Sequence, residues 1–222
     1  METDQAPARK SRIKESSVLK RQDYEDFLVH VYFLMNLSRG DFMEGCINRS
    51  YLDFNRTLHG LSRVKSVDQL YRKAKDALAS ALRELRAICA QGISEDGFDD
   101  WHHRTCSNLI ETYGGNGYGK FSVGQAQKWI NMTLKYIFVL GEERVGGFGE
   151  SYPFCHMPFD NIILGKLHAY GFPGFSVAWS RIGEYDVYLQ RQKWIRDKFT
   201  LMPLDAEFKL WMGQEVPLSD GR

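Results

Sequence analysis

Apolar residues recur every three to four positions over most of the chain, and short polar runs rich in glycine and serine separate the repeats. The clearest repeat lies between Ser66 and Gly92, and a one-sided stripe of this kind is typical of an amphipathic helix. Its members are Val67, Leu70, Tyr71, Ala74, Ala77, Leu78, Ala81, Leu85 and Ile88. Ser66 and Gln69 fit a capping box, which predicts that the helix begins directly after Ser66.

Two shorter helices are predicted before this stripe. The first covers 24–34, where apolar residues keep helical spacing, and Ser38-Arg39-Gly40 follows as a stop signal. Asp41 lies three residues before Glu44, which predicts an N-cap with a capping-box partner for the second helix. Since no pattern of two alternating segments joined by a turn competes with these repeats, the predicted fold class is all-α.

The segment 92–104, GISEDGFDDWHHR, is polar and predicts a connector, followed by a short helix over 105–113. The pair His102-His103 and two nearby aspartates raise the question of a metal site. Adjacent side chains point apart on a helix or strand, and no second ligand cluster has matching spacing. We therefore predict a surface loop and no metal site here.

The apolar run 121–140, FSVGQAQKWINMTLKYIFVL, predicts a helix with Lys128 in its opening turns. The run 156–160, HMPFD, predicts an extended approach that places Asp160 at the start of another helix. Further helices are predicted over 161–170, over about 184–199, and after Pro203.

Composition limits the class of protein. The chain has 222 residues, 43% of them hydrophobic, which is enough to bury a sizeable core in one domain. Its formal net charge of +1 excludes a strongly basic protein, so affinity for nucleic acid must come from a local patch. Residues 1–22 are polar and rich in lysine and arginine, which predicts a disordered basic tail before a domain over 23–222.

The four cysteines show no CxxC pair and no regular spacing, which predicts free thiols in a reducing compartment. Nothing at the N-terminus resembles a signal segment, and polar residues interrupt the longest apolar run, 130–140. A helix that crosses a bilayer needs about 20 apolar residues. We expect an intracellular, prokaryotic protein that does not associate with a membrane.

A glycine-rich turn, GGNGYG at 114–119, connects the predicted helix 105–113 to the one that contains Lys128. Free backbone N–H groups at a helix start suit a phosphate, but no Gly-Lys-Ser/Thr sequence closes a Walker loop. Helix, glycine-bearing turn and second helix together describe a helix-hairpin-helix element, although such turns also simply connect packed helices. The candidate phosphate-binding residues are Gly117, Gly119, Lys120, Ser122 and Gly124.

Lys128 and Asp160 carry a more specific signal. Lys128 lies in QAQKWINMTLKYI, Lys135 follows seven residues later, and MPFDNIIL places Asp160 after a proline and an apolar residue. This pattern resembles the helix-hairpin-helix DNA glycosylases and is most similar to their archaeal 8-oxoguanine (GO) glycosylase branch, whose members are also AP lyases. The resemblance covers about 113–169.

The resemblance implies a two-lobed all-α domain of the helix-hairpin-helix glycosylase type, with its hairpin and catalytic region at 105–170. It implies that Lys128 attacks the sugar, that Asp160 assists it, and that the substrate is double-stranded DNA with a flipped-out base. No cofactor is expected, and the expected state is a monomer. The Leu-Pro-Gly-Val-Gly hairpin common in the superfamily is absent, and the identity of the excised base does not follow.

The chemistry of glycosidic-bond cleavage favours the same two residues independently of the resemblance. An unprotonated amine can attack the sugar C1′ and form a Schiff base, while a carboxylate deprotonates the ammonium and stabilises an oxocarbenium ion. Candidates for the base pocket are Trp129, Cys155, His156 and Trp211, of which Trp129 suits a core position equally well. The alternative is that Lys128 is a surface residue and Asp160 only a cap, in a non-catalytic helical module that binds DNA or protein.

Overall fold

The computed structural model describes residues 19–35 and 40–219. Within them the fold consists of eight α-helices with short 3₁₀ turns, and the only β pairing there is an isolated bridge between Phe199 and Leu218, which confirms the all-α prediction. The helices are α1 (Arg21–Phe33), α2 (Phe42–Phe54), α3 (Val67–Cys89), α4 (Glu95–Gly115), α5 (Val123–Leu140), α6 (Asn161–Leu167), α7 (Tyr185–Lys198) and α8 (Pro203–Trp211).

Helix α5 is the centre of the fold and is buried nearly all round. It contacts α2, α4 and α7, and the 3₁₀ turn Trp179–Arg181 lies across its first turn. A capping box fixes where it begins: Ser122 Oγ accepts a hydrogen bond from Gln125 N (3.2 Å), and Gln125 Oε1 accepts one from Ser122 N (3.1 Å). A helix with little solvent-facing surface places its polar side chains inside the protein, where each needs a partner.

Of the N-caps predicted at Asp41 and Ser66, the structure contains only the first. Asp41 Oδ1 accepts from Glu44 N (3.3 Å) and caps α2 as predicted, but the Glu44 side chain does not complete the predicted capping box. Ser66 precedes α3 as predicted, but its backbone is left-handed (φ 60°) and its side chain makes no capping bond. The capping-box prediction is wrong there, because a capping side chain needs an extended backbone at that position.

The predicted connector 92–104 is wrong, since α4 already begins at Glu95 and includes most of it. Ser94 Oγ caps the helix by accepting from Gly97 N (3.1 Å). Phe98, Trp101 and Leu109 form a fully buried face at helical spacing. Polar residues between these positions hid the period in the sequence, because several of those residues are themselves buried and paired inside the protein.

Helix α1 is present where 24–34 predicted it, and it begins three residues earlier, inside the predicted tail. Residues 1–18 of that tail lie outside the described residues. The apolar stripe of α1 faces outward, and the exposed members are Tyr24, Phe27, Leu28 and Val31, with Leu34 just after the helix. Phe33, by contrast, is buried and packs edge-on against Tyr136 of α5.

All four cysteines lie in described parts of the chain and are free, as predicted. Each is buried in a different segment: Cys46 in α2, Cys89 in α3, Cys106 in α4, and Cys155 in the loop before α6. Burial raises the pKa of each of these thiols above its ordinary value.

Among the described residues, no helix has the length and the apolar character needed to span a membrane.

Candidate active site

Lys128 and Asp160 meet inside the protein. Lys128 lies in the second turn of α5 and is only 3% exposed. Asp160 is the N-cap of α6: its Oδ1 accepts from Ile163 N (2.9 Å), while its Oδ2 lies 2.7 Å from Lys128 Nζ. One carboxylate oxygen therefore serves the helix and the other serves the amine.

The pair lies in the wall of a cavity of about 460 Å³, which we call the α5 pocket. This volume falls within the range of about 300–1,000 Å³ that small-molecule sites have in proteins. Helices α1, α2, α5, α6 and α8 all contribute side chains to it. The lining is Tyr32, Arg49, Asp53, Lys128, Met132, Lys135, Tyr136, Val139, Asp160, Ile162, Glu207, Phe208 and Trp211.

A second lysine–carboxylate pair lines the same pocket. Lys135 Nζ lies 2.6 Å from a carboxylate oxygen of Glu207, whose side chain is 1% exposed. Burial raises the pKa of Glu207, and the nearby Lys135 opposes that rise. Lys135 and Lys128 are seven residues apart and so share one face of α5. That spacing was visible in the sequence, whereas nothing along the chain identified Glu207 as the partner.

The pocket has an aromatic wall next to this second pair. The Lys135 ammonium lies 4.7 Å from the ring centroid of Phe208 and 5.5 Å from that of Trp211. Trp211 is 49% exposed, so this residue of the pocket wall is also accessible to solvent. Of the four residues predicted for a base pocket, Trp211 is the one that lines the cavity.

A hydrogen-bonded cluster completes the lining on the α2 side. Tyr136 Oη donates to Asp53 Oδ2 (2.7 Å), and Asp53 Oδ1 pairs with Arg49 Nη1 (2.9 Å). Tyr32 Oη is 3.0 Å from Tyr136 Oη, which ties α1 to α5. The sequence did not identify this cluster, since Tyr136 on α5 is more than 80 residues from the members on α1 and α2.

Trp129, Cys155 and His156, which the sequence predicts for a base pocket, do not line the α5 pocket. Trp129 projects into the core, where its indole N–H donates to Ile47 O (3.0 Å). Cys155 is buried away from the cavity, and its thiol pKa is raised by burial. His156 is fully buried between Tyr188 and an aspartate of α4.

Some of the residues predicted to bind phosphate at the hairpin 116–122 and just after it are bonded within the protein instead. Gly124 N donates to Ile182 O (3.0 Å), and a Cβ on Gly124 would lie 1.8 Å from Trp179 O. Ser122 Oγ donates to Ser180 O (2.8 Å) and also caps α5. Gly124 and Ser122 therefore join the hairpin to the 3₁₀ turn, and their polar groups are already in use.

Gly117 has a positive φ of 89°, which favours glycine, and its N–H donates to Gly114 O. Gly119 and Lys120 are exposed, and within the described residues no acceptor is bonded to their N–H groups. Next to them the hairpin forms an open cavity of about 500 Å³ with the segment 59–65, which brings His59, Arg63 and Lys65 to the same place. We call this the hairpin pocket, and it is the part of the predicted phosphate site that remains accessible.

A chain of buried polar groups runs from α4 to the segment before Asp160. Asp99 Oδ1 is 2.8 Å from His156 Nε2, and His156 Nδ1 is 2.9 Å from Tyr188 Oη. Asn131 Nδ2 donates to Tyr188 Oη (2.8 Å) and to Gln127 Oε1 (3.0 Å). Burial lowers the pKa of His156 to about 4, so at neutral pH it donates through Nε2–H and accepts at Nδ1.

His102 occupies the same buried layer and stacks on Tyr188. Its Nε2 lies 3.0 Å from Asn131 Oδ1, and burial lowers its pKa below the ordinary value. The two histidines of the predicted surface loop therefore separate, with His102 inside and His103 exposed. In the described parts of the chain, no group of three or more histidine, cysteine or acidic side chains is arranged to hold a metal ion.

Comparison with known proteins gives no family: no family model matches the chain, and no curated protein or solved structure is detectably similar to it. The chemistry of the α5 pocket is therefore the basis for assigning a function to the chain.

Proposed function

We propose that this protein is a DNA glycosylase with AP-lyase activity, which excises a modified base through a Schiff base on Lys128. The fold we propose for it is the two-lobed helix-hairpin-helix glycosylase type. The observation that carries the proposal is the contact of 2.7 Å between Nζ of the buried Lys128 and Oδ2 of the partly buried Asp160, at the wall of a pocket of ligand size.

Energetics support a functional role for this pair. Removing an ammonium and a carboxylate from water costs several kcal/mol per ion, and replacement of such a pair by apolar residues is often neutral or stabilising. Two such pairs line the α5 pocket, Lys128 with Asp160 and Lys135 with Glu207. Titratable groups held together in a buried cavity are where catalytic acids, bases and nucleophiles are found.

The proposed reaction begins with transfer of a proton from Lys128 to Asp160, which frees the amine. Nζ then attacks C1′ of the deoxyribose, and the N-glycosidic bond breaks so that its electron pair leaves with the base, which takes the proton held by Asp160. Asp160 next removes a proton from Nζ, now bonded to C1′. The C1′–O4′ bond then breaks, O4′ takes that proton, and the nitrogen lone pair forms the C=N bond of the Schiff base. Loss of a C2′ proton then breaks the C3′–O3′ bond by β-elimination, and water finally hydrolyses the Schiff base and releases Lys128.

The α5 pocket contains aromatic rings on which a flipped base can stack and polar groups to which it can hydrogen-bond. Extruding a base costs a few kcal/mol of stacking and pairing, which the enzyme must recover in its pocket. The exposed ring of Trp211 and the neighbouring Phe208 provide aromatic surface. Lys135 and Glu207 supply a donor and an acceptor beside those rings.

The hairpin pocket supports the DNA-binding part of the proposal. Lys120, Arg63 and Lys65 lie together at this pocket in a protein whose net charge is only +1. Such a local cluster suits phosphate groups, and phosphate contacts position a protein on DNA without reading its sequence. Gly119 and Lys120 add exposed backbone N–H groups at the same place.

Borohydride trapping on DNA that contains an abasic site tests the proposal. The parent protein should become covalently attached, and Lys128→Gln should not, since glutamine keeps a polar side chain of similar reach but has no amine. Lys135→Gln is the matched control, because it removes a lysine from the same helix and the same pocket. That control should still form the adduct, and mass mapping should locate it on Lys128.

A non-catalytic module remains the competing function, and the exposed apolar stripe of α1 favours it. Tyr24, Phe27, Leu28 and Val31 give that helix an unpartnered apolar surface, which often marks a contact with another protein. Absence of an adduct on both abasic and damaged DNA would favour the module, and an adduct mapped to Lys135 or Lys120 would refute the assignment of Lys128.

A further inference from the structure

The segment 155–159, which we call the approach segment, is buried and has no regular secondary structure, and it leads directly to Asp160. Its peptide groups need hydrogen-bond partners because they are out of contact with water. No strand lies beside it within the described residues, so those partners must come from elsewhere. Two glutamine side chains, from α5 and α7, provide them for Met157 and Phe159.

Each glutamine uses its amide as a neighbouring strand would use a peptide group. Gln192 accepts from Met157 N at Oε1 (3.0 Å) and donates from Nε2 to Met157 O (2.8 Å). Gln127 does the same one residue beyond the proline, accepting from Phe159 N (3.3 Å) and donating to Phe159 O (3.1 Å). Pro158 lies between them and has no N–H to satisfy.

Gln127 differs from Gln192 because of its neighbours along the chain. It directly precedes Lys128 on α5, and its partner Phe159 directly precedes Asp160. The two hydrogen bonds of Gln127 therefore join the segments that carry the amine and the carboxylate, one residue away from each. Any movement of the approach segment away from α5 has to break this contact.

Hydrogen bonds from the protein also fix which way the Gln127 amide points. Asn131 Nδ2 donates to Gln127 Oε1 (3.0 Å), and Gln127 Nε2 donates to Gly124 O (3.0 Å). A flipped amide would place two N–H donors against each other at Asn131 and two oxygens against each other at Gly124. The orientation that bonds both polar groups of Phe159 is therefore the one the surroundings favour.

We propose that Gln127 is a positioning residue of the reaction, which holds Asp160 in register with Lys128 by binding both polar groups of the Phe159 peptide. This inference depends on the proposed glycosylase function and deepens it. The carboxylate must stay within hydrogen-bond reach of Nζ to take its proton, and small displacements of catalytic groups can cost about 100-fold in rate. Gln127 touches neither substrate nor reacting atoms in this role.

The test is Gln127→Met, which keeps the length of the side chain and removes both hydrogen bonds to Phe159. The matched control is Thr133→Val, which also removes a buried hydrogen bond from α5, here one to Ser50 (2.7 Å), away from the approach segment. Each variant is assayed by borohydride trapping on abasic DNA under single-turnover conditions, at saturating DNA and per folded molecule. The Kd for the same DNA is measured separately.

We expect Gln127→Met to slow adduct formation at least tenfold at saturating DNA with an unchanged Kd, and Thr133→Val to form the adduct at the parent's rate. A purely structural role of Gln127 would lower stability and leave the rate per folded molecule unchanged, which would overturn the inference. Should Gln127→Met fail to fold, Gln127→Glu decides in the same assay. It keeps the acceptor for Phe159 N–H and loses the donor, so at least threefold slowing is expected and the parent's rate would refute the role.

The outcomes separate this inference from the proposed function. A parent protein that forms no adduct refutes the glycosylase proposal, and the positioning role falls with it. A parent that forms the adduct, together with Gln127 variants that are equally fast, refutes the positioning role alone.

Discussion

Replacing Gly124 by alanine should destabilise this protein, although the same change in most helices is stabilising. The added Cβ would lie 1.8 Å from Trp179 O, 2.9 Å from Trp179 C and 3.2 Å from Ser180 Cα. All three atoms belong to the backbone, so no side chain can rotate out of the way. Ordinary contact begins near 3.4 Å, so α5 and the 3₁₀ turn must move apart by about 1.6 Å.

The cost follows from what that separation breaks. Overpacking of a filled interior costs about 1–3 kcal/mol, and loss of the hydrogen bond from Gly124 N to Ile182 O leaves buried groups unpaired at about 1–3 kcal/mol more. The better helix propensity of alanine returns about 1 kcal/mol. We expect a net loss of about 1–5 kcal/mol, which for a chain of this size corresponds to a fall in Tm of about 2–20 °C.

Thermal melts of Gly124→Ala and Gly114→Ala measure this effect. Gly114 is the matched control, since it is also helical but a Cβ there meets nothing within 4 Å. That control should melt at or slightly above the parent's temperature. Two results together would refute the packing argument and restore the predicted phosphate contact. Gly124→Ala would have to melt within about 2 °C of the parent, a limit set by the size scaling above. It would also have to bind DNA of every sequence more weakly than the parent does.

Two further predictions concern the site. Asp160→Asn should keep the cap of α6, because asparagine caps as well as aspartate, and should slow single-turnover adduct formation about 100-fold; a rate near the parent's would reduce Asp160 to its structural role. Stability should fall on acidification through the window from pH 6.5 to about 4, since unfolded His156 binds a proton in that window and folded His156 does not. Urea denaturation should give a free energy of unfolding lower by about 2 kcal/mol at pH 4.5 than at pH 7 from this residue alone, and equal values would contradict the assigned pKa.

The sequence was sufficient for the elements whose pattern is local. The stripe after Ser66 predicted α3, and the apolar run 121–140 predicted α5, because a helix buries residues at a period that can be counted along the chain. Lys128 and Asp160 were found because each lies near a helix start. Their contact at 2.7 Å joins positions 32 residues apart and could be expected only through the resemblance.

The wrong prediction for 92–104 and the failure to predict Glu207 have the same physical cause. In both cases polar side chains are buried and bond to groups that are distant along the chain. Residues 92–104 look like a solvated loop, yet Asp99 and His102 lie inside the protein and pair with groups on α5, on α7 and in the loop before α6. Glu207 was missed for the same reason, since a buried carboxylate is not recognisable without its lysine. The apolar stripe of α1 predicted the helix but not its exposure, because periodicity does not say whether a partner is present.

The four buried thiols provide a way to watch this protein open. Cys46, Cys89, Cys106 and Cys155 lie in four different segments, and each is shielded from reagents while its segment stays closed. Rates of alkylation at low denaturant, resolved by peptide mass, would therefore rank α2, α3, α4 and the loop before α6 by their free energies of local opening. If the four rates coincide, the helical core opens as one cooperative unit; if Cys155 reacts first, the segment that leads to Asp160 moves independently of the rest.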